Sequence, residues 1–589
     1  MRLPQRSLLA SALLAGLLAA GCVAAAPTAR RLAAAGPPAA APDTQSAWLI
    51  RHALALQTVA PAAPAEPGLR QLGRRVAPAR LVALGEATHG TGDFTRFKHR
   101  LFRHLAEEHG YRLFLLEANL PECRDLDRWI QGGAGDPRRL LARLDEWIWN
   151  TGEMLELLEW MRAYNRDHPD DPVHFAGFDM KRPVAAMDAV VAAVRPADPG
   201  LAHELAALYR EHREIPAMGI YPMPSQVRRL TVPAPGIGGA TVRWSGWVRT
   251  AGGTRGEPRL WLSFPGAATA YSVPGRRDPG GWQEMFAVAE APPDAGEVTV
   301  GLALTHDGVA WFDDLALTVG GRTIDLGFDP SFEGGEIGLP EAPLLFPQLQ
   351  VSDYRTVVER GIARRGGSSL RIAFDERLDA AVAAARRATA LLAARRVHLA
   401  AALGEAAVAV VERDARVVEQ AMLWRAGRAH RDLDLAENAR WQLERAHPGL
   451  RAVLSAANSH VGLYDGRMGA ALEEWLGEDY VPVALTTLAG RYAAADRANV
   501  PAEHPLPPAP AESVEARLAA LGPADLALDL RPARGGEPAA AWLLGPVPMR
   551  GVGSLAVERQ FVPHEPARRF DLLVLLGTTS PPRLLGTAE

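Results

Sequence analysis

Leu81-Val-Ala-Leu-Gly-Glu-Ala-Thr-His-Gly90 places a carboxylate and an imidazole three residues apart, directly after a short apolar run. A carboxylate can orient a histidine so that the ring accepts a proton from water. The apolar run reads as a buried strand and Gly85 as its end. In open α/β sheets the carboxyl edge of the strands is where ligands bind. Glu86 and His89 therefore fall where chemistry is done. The competing reading is an ordinary strand-to-helix connection with a solvated Glu and His.

Other strand ends carry similar groups. Strands are expected over 80–85, 111–116, 173–178 and 451–456, and they lead into Glu86 with His89, Glu117, Asp179, and Asn458 with His460. If these strands are parallel, the polar groups converge on one edge of the sheet. Glu86 and Glu117 are one strand–helix–strand repeat apart, so their strands should be parallel near neighbours with their ends side by side. No Gly-x-Ser-x-Gly elbow sits at a strand-to-helix turn, which disfavours a serine nucleophile.

The elements that must hold these groups emerge from periodicity. Phe94, Phe97, Leu101, Phe102 and Leu105 share one helical face, and Gly110 is placed to cap that helix. His99, His104 and His109, on or just after it, read as solvated. A helix is expected over 147–165, long Ala/Arg-rich helices over 375–428, and another over 435–446. Further strands are expected over 481–487, 526–530 and 572–576. Between 222 and 372 glycine and proline become dense, and Val298, Val300, Leu302 and Leu304 alternate with period two.

The fold class expected is thus α/β, a mainly parallel sheet flanked by helices over 44–215 and 373–589. It is interrupted by an all-β sandwich over 222–372. Gly280-Gly-Trp-Gln-Glu and Trp311-Phe-Asp-Asp314 resemble jelly-roll carbohydrate-binding modules. Trp244, Trp247, Trp261, Trp282 and Trp311 either stack on a glycan or fill the core; the core reading is the commoner one.

Arg2 and Arg6 precede an apolar stretch over 8–20 that ends in Leu18-Ala-Ala-Gly-Cys22. This resembles the lipobox of bacterial lipoproteins, which implies a leader over 1–22 and lipidation at Cys22. Val23 does not resemble the aspartate that retains lipoproteins at an inner membrane. The expected location is the cell envelope, on the outer membrane facing the periplasm. An Ala/Pro-rich tether over 23–43 comes next. The second of the two cysteines, Cys123, has no intramolecular partner, and a Cys/His metal site is excluded on ligand count. A net charge of −4 over 589 residues gives no general attraction for nucleic acid.

Taken with Phe94, Lys98 and Leu116-Glu117, the motif Gly85-Glu-Ala-Thr-His-Gly90 resembles the erythromycin esterase family. The resemblance continues through Asn150-Thr-Gly-Glu153, Trp160-Met-Arg-Ala-Tyr-Asn165 and Gly177-Phe-Asp179. After the sandwich it resumes at Arg431-Asp-Leu-Asp-Leu-Ala-Glu-Asn438 and Asn458-Ser-His460, then at Met468-Gly, Leu472 and Leu476-Gly. It implies hydrolysis of a small-molecule ester or lactone, macrolide lactones being the namesake substrate. It also implies His89 as general base for water, with Glu86, Glu117 and His460 as its catalytic partners. Lys98, Asp179, Asn458, Arg431 and Asn438 match supporting or substrate-binding positions. No cofactor is implied. Two other readings remain. A divalent metal held by Glu86, His89, Glu117 and His460 is one; a haem-binding envelope lipoprotein using His89 or His460 is the other. A glycan held by the sandwich is a further expected partner.

Overall fold

The computed structural model describes residues 42–586, apart from 211, 214–224, 253, 255–256, 266, 268, 305–307, 341–353, 375, 427, 496–499, 523 and 558. Cys22, the expected leader and the expected tether as far as 41 lie outside the described residues. No helix among the described residues is long and apolar enough to cross a membrane. The chain divides into two compact units. One is built from Leu208–Arg387 and Met422–Ala429, and the other from the described residues of Pro27–Ala207, Ala388–Ala421 and His430–Glu589.

The larger unit is built on a nine-stranded sheet. Its strands are β1 (Ala53–Leu56), β2 (Leu81–Leu84), β3 (Tyr111–Asn119), β4 (His174–Asp179), β5 (Arg451–Ser455), β6 (Tyr480–Ala495), β7 (Pro501–Pro505), β8 (Asp525–Asp529) and β9 (Leu572–Thr579). They lie in the order β1-β8-β9-β6-β2-β5-β3-β4, with β7 hydrogen-bonded to β6. From β9 to β4 every neighbouring pair is parallel. The pairs β1–β8, β8–β9 and β6–β7 are antiparallel.

Burial on both faces explains the unbroken apolar runs of these strands. Val82, Leu84, Phe114 and Leu116 pack on one side with Phe94, Phe97, Leu101, Phe102 and Leu105 of α1 (Gly92–His109). Leu81, Ala83, Leu113 and Leu115 pack on the other with Leu435 and Ala439. The mainly parallel α/β class is as expected, but the lateral order is not. Strands β2 and β3 are not neighbours, because β5, from beyond the sandwich, lies between them and pairs with both.

Helix α1 differs from expectation in a second way. His99 and His104 are buried rather than solvated. Both ring nitrogens of His99 lack a hydrogen-bond partner, and its ring lies 5.4 Å from that of Trp160. Burial, then the charge of Arg103, push the His99 pKa down to about 3. The native state holds this ring neutral, while the unfolded chain protonates it near pH 6.5. Stability should therefore be unaffected above about pH 6.5 and fall by about 1.4 kcal/mol per pH unit below it. The expected result for His99→Leu is a flatter loss of stability between pH 7 and 5, checked by urea midpoints at both values.

The smaller unit holds two antiparallel sheets, of seven and four strands. Val298, Val300, Leu302 and Leu304 are fully buried in its core. Trp244 on the larger sheet donates from Nε1 to the carbonyl of Gly301 on the smaller one, at 3.1 Å. Trp247, Trp261 and Trp282 are buried as well. Arg364 lies 3.6 Å over the Trp247 ring, and Trp311 donates to Glu359 Oε2 at 2.5 Å. Four of the five tryptophans thus serve the core, and the fifth is tied to a neighbouring strand.

Candidate active site

Strand β2 ends at Leu84, and close backbone approach dictates the residues after it. The Gly85 N–H donates to the Val483 carbonyl at 2.8 Å. A Cβ on Gly85 would collide with Asn458 Oδ1, and one on Gly90 would collide with the Ala493 carbonyl oxygen. Only glycine fits at either end of the motif. The His89 N–H donates to the Gly553 carbonyl at 3.0 Å, which fixes the loop between them.

Within the loop, His89 Nδ1–H donates to Glu86 Oε1 at 2.6 Å. Lys98 Nζ, from the second turn of α1, donates to Glu86 Oε2 at 2.5 Å and to Ser455 Oγ at 2.9 Å. Glu86 and Lys98 are buried, and the His89 side chain is only slightly exposed. Burial pushes the Glu86 pKa up, but Lys98 and His89 outweigh it and hold the group below the ordinary carboxylate range. An ionised carboxylate on Nδ1 fixes the tautomer and leaves Nε2 free to accept a proton. Trp149 frames the ring, edge-on at 6.0 Å between centroids, and donates from Nε1 to the Glu117 carbonyl at 3.0 Å. The expected helix over 147–165 in fact begins at Gly152, as α2 (Gly152–Asp167), so Trp149 lies in the turn before it.

The intervening β5 joins the two acidic strand ends. The Asn458 N–H donates to the Glu86 carbonyl at 3.0 Å, and the Ala457 N–H donates to Glu117 Oε2 at 3.2 Å. Glu117 Oε1 accepts from Arg431 Nη2 at 2.8 Å. Arg431 begins α3 (Arg431–Trp441) and also grips Asp179 with two bonds, Nε to Oδ1 at 3.1 Å and Nη2 to Oδ2 at 2.6 Å. Burial pushes both carboxyls up. His460 and Arg431 overcome this at Glu117, and Arg431 and Lys181 overcome it at Asp179, so both stay ionised below the usual range.

His460 lies on a single helical turn, Asn458–Val461, rather than on the strand end itself. Its Nε2 is 3.5 Å from Glu117 Oε1 and 3.4 Å from Arg431 Nη1. Its Nδ1–H donates to Asp432 Oδ1 at 2.7 Å.

The two asparagines have different work. Asn458 Nδ2 donates to the Leu485 carbonyl at 2.9 Å and its Oδ1 accepts from the Leu485 N–H at 3.2 Å, which fastens the turn to β6. Asn438 donates to the Phe178 carbonyl at 3.1 Å and accepts from Arg413 at 2.9 Å. Both hold backbone near the site. The expected residues Glu86, His89, Lys98, Glu117, Asp179, Arg431 and His460 are thus brought to one sheet edge. Asp432 joins them from within the Arg431–Asn438 motif, and Ser455 and Trp149 join them although no motif or spacing singles those two out.

The donor set does not favour a metal held by Glu86, His89, Glu117 and His460. Glu86 is engaged by Lys98 and His89, Glu117 by Arg431 and a backbone N–H, and His460 Nδ1 by Asp432. Among the described residues no group of three or more His, Cys, Asp or Glu side chains is arranged to hold a metal ion.

Comparison with known proteins agrees with this architecture. A crystal structure of a Bacillus cereus protein superposes with a TM-score of 0.59 at 18% identity, covering 93% of this chain and 100% of that one. A crystal structure of a succinoglycan biosynthesis protein gives 0.55 at 17%, covering 92% and 98%. A mutant erythromycin esterase in its open conformation gives 0.51 at 13%, covering 91% and 100%. At these identities the likeness is one of fold.

By sequence, a putative hydrolase of Bacillus subtilis, YbfO, is 28% identical over 134 residues, 23% of this chain and 28% of the relative. The erythromycin esterase type II of Escherichia coli is 27% identical over 113 residues, 19% of this chain and 26% of the relative. The aligned stretches span about a quarter of each of these relatives. The erythromycin esterase profile, by contrast, matches residues 106–230 and 353–579, more than half of the chain. On the strength of that match, the chain belongs to the erythromycin esterase family.

Proposed function

We propose that the protein hydrolyses an ester or lactone of a small molecule, with His89 as the base that activates water. The observation that carries this reading is Glu86 bridging His89 Nδ1 at 2.6 Å and Lys98 Nζ at 2.5 Å. Glu86 orients the ring, and Lys98 balances its charge so that the carboxylate stays ionised while buried. Water gives a proton to His89 Nε2, and the resulting hydroxide attacks the acyl carbon. Lys98 is buried and committed to Glu86 and Ser455, which makes it a support for Glu86 rather than a donor to substrate. His460 Nε2 and Arg431 Nη1, 3.4 Å apart, meet the developing oxyanion and the departing alcohol.

The test is turnover of a panel of esters and lactones, with and without chelator. Hydrolysis that survives the chelator is expected. Loss with chelator and recovery with added metal would replace this mechanism by a metal-centred one. No turnover across the panel, with a Soret band on haem titration, would replace it by ligand binding.

A further inference from the structure

A second histidine–carboxylate pair lies on the same sheet edge, and its acid is a residue so far without a role. Asp432 is buried, accepts from His460 Nδ1–H at 2.7 Å through Oδ1, and accepts from Arg467 Nη1 at 2.8 Å through Oδ2. The Met468 N–H also donates to Oδ1, at 3.2 Å. The carboxylate is therefore held in place from the start of a separate helix, Met468–Leu476. With Nδ1 committed, the remaining nitrogen, Nε2, faces Glu117 and Arg431.

We propose that Asp432 is the positioning residue for His460, fixing the ring so that Nε2 delivers a proton to the leaving alcohol. This rests on the hydrolase reading above and gives the site a paired construction. Glu86 with His89 is the proton-accepting half, and Asp432 with His460 the proton-donating half. In the step, a water proton passes to His89 Nε2 and the water oxygen bonds to the acyl carbon. The acyl C–O bond then breaks, and the leaving oxygen takes the Nε2 proton of His460. His89 afterwards releases its proton to solvent and His460 regains one.

The charges around His460 agree with that duty. Asp432 and Arg431 face it from the first turn of α3, Glu117 from β3, and Arg467 stands behind Asp432. Burial favours the neutral ring, but Asp432 and then Glu117 outweigh it, with Arg431 opposing, so the His460 pKa is raised. A histidine acting as an acid must keep its proton at the working pH.

The experiment is Asp432→Asn in the full chain, with two readouts. One is the pH profile of kcat. The other is the His460 titration followed by NMR on histidine-labelled protein, assigned with His460→Gln. Asn keeps the shape and removes the charge. The expected result is that the alkaline limb of kcat and the NMR midpoint both move down by about one pH unit or more. Asp432→Glu should return both toward the wild-type values. A folded Asp432→Asn protein in which neither moves overturns the proposal. So does a wild-type His460 midpoint below the ordinary imidazole value of about 6.5, a measurement that needs no variant. If the midpoint moves as expected but no ester is turned over by the wild-type protein, the pairing stands and the hydrolase reading fails.

Discussion

Replacing His89 with alanine is expected to reduce ester turnover by about 10²–10⁴-fold while the protein stays folded. The ring lies at the rim of the packed interior, and Glu86 is its side-chain hydrogen-bond partner, so its removal disturbs little of the core. Glu86 keeps Lys98 as a counter-charge in the variant, which limits the cost of leaving Oε1 free. The loss should fall on kcat more than on KM, because proton removal from water matters in the transition state and not in substrate binding. Circular dichroism and melting temperature report the fold, and initial rates on the best substrate of the panel report the chemistry. Undiminished turnover by a folded His89→Ala protein would remove the general-base assignment and turn attention to His460.

The largest effect on stability is expected from Arg431→Met. Arg431 holds Asp179 with two bonds and Glu117 with one, and both carboxylates are buried. Removing one partner of a buried ion pair leaves an uncompensated charge, which costs about 3–5 kcal/mol. The pH dependence carries a sign that separates this account from simple loss of packing. In the wild-type protein both carboxyls are depressed despite burial. Their contribution is complete above about pH 5 and fades as pH falls through the depressed values. Without Arg431, Asp179 loses its leading counter-charge and burial pushes it upward with Lys181 alone opposing, while Glu117 keeps His460. Protonation then relieves the native state, so the variant should gain stability as pH falls from 7 toward about 5. Chemical denaturation at several pH values reads this directly. A variant whose deficit is the same at every pH would show that Arg431 acts by shape and not by charge.

Much of the site is legible in the sequence because strand ends announce themselves. A short apolar run followed by a charged residue marks both the element and its edge, which locates Glu86, Glu117 and Asp179. What periodicity lacks is lateral order. Nothing in the spacing of β2 and β3 indicates that a strand from more than 300 positions later separates them, as the pairing of Ser455 with both Leu84 and Leu116 shows. Ser455 and its bond to Lys98 are hidden for the same reason.

Asp432 lies in plain view beside Arg431. Its signal is the acid–base doublet at a helix start, but only the fold shows that the two side chains meet the two nitrogens of one ring. Arg431 holds Glu117 and Asp179, while Asp432 holds His460. His99 departs from expectation because a polar run, Lys98-His-Arg100, suggests a solvated helix face. Here the helix is covered on more than its apolar face, with Trp160 against His99. The tryptophans of the smaller unit have the look of ligand platforms and are mostly core, which is the more frequent fate of large aromatics in sandwiches.

The position of β5 has a consequence for how this molecule comes into being. Residues that flank one another at the sheet edge are written far apart on the chain, with a whole all-β unit spelled out between them. Strands β2 and β3 have no pairing with each other, and the strand that joins them, Arg451–Ser455, is made more than 300 residues later. Until then Lys98 lacks its Ser455 tie, Glu117 lacks Ala457, and no His460 exists to face it. Such long-range closure is slow relative to local pairing. The site is thus incomplete until residue 460 has been made, and its contacts cannot close before the fifth strand is in place.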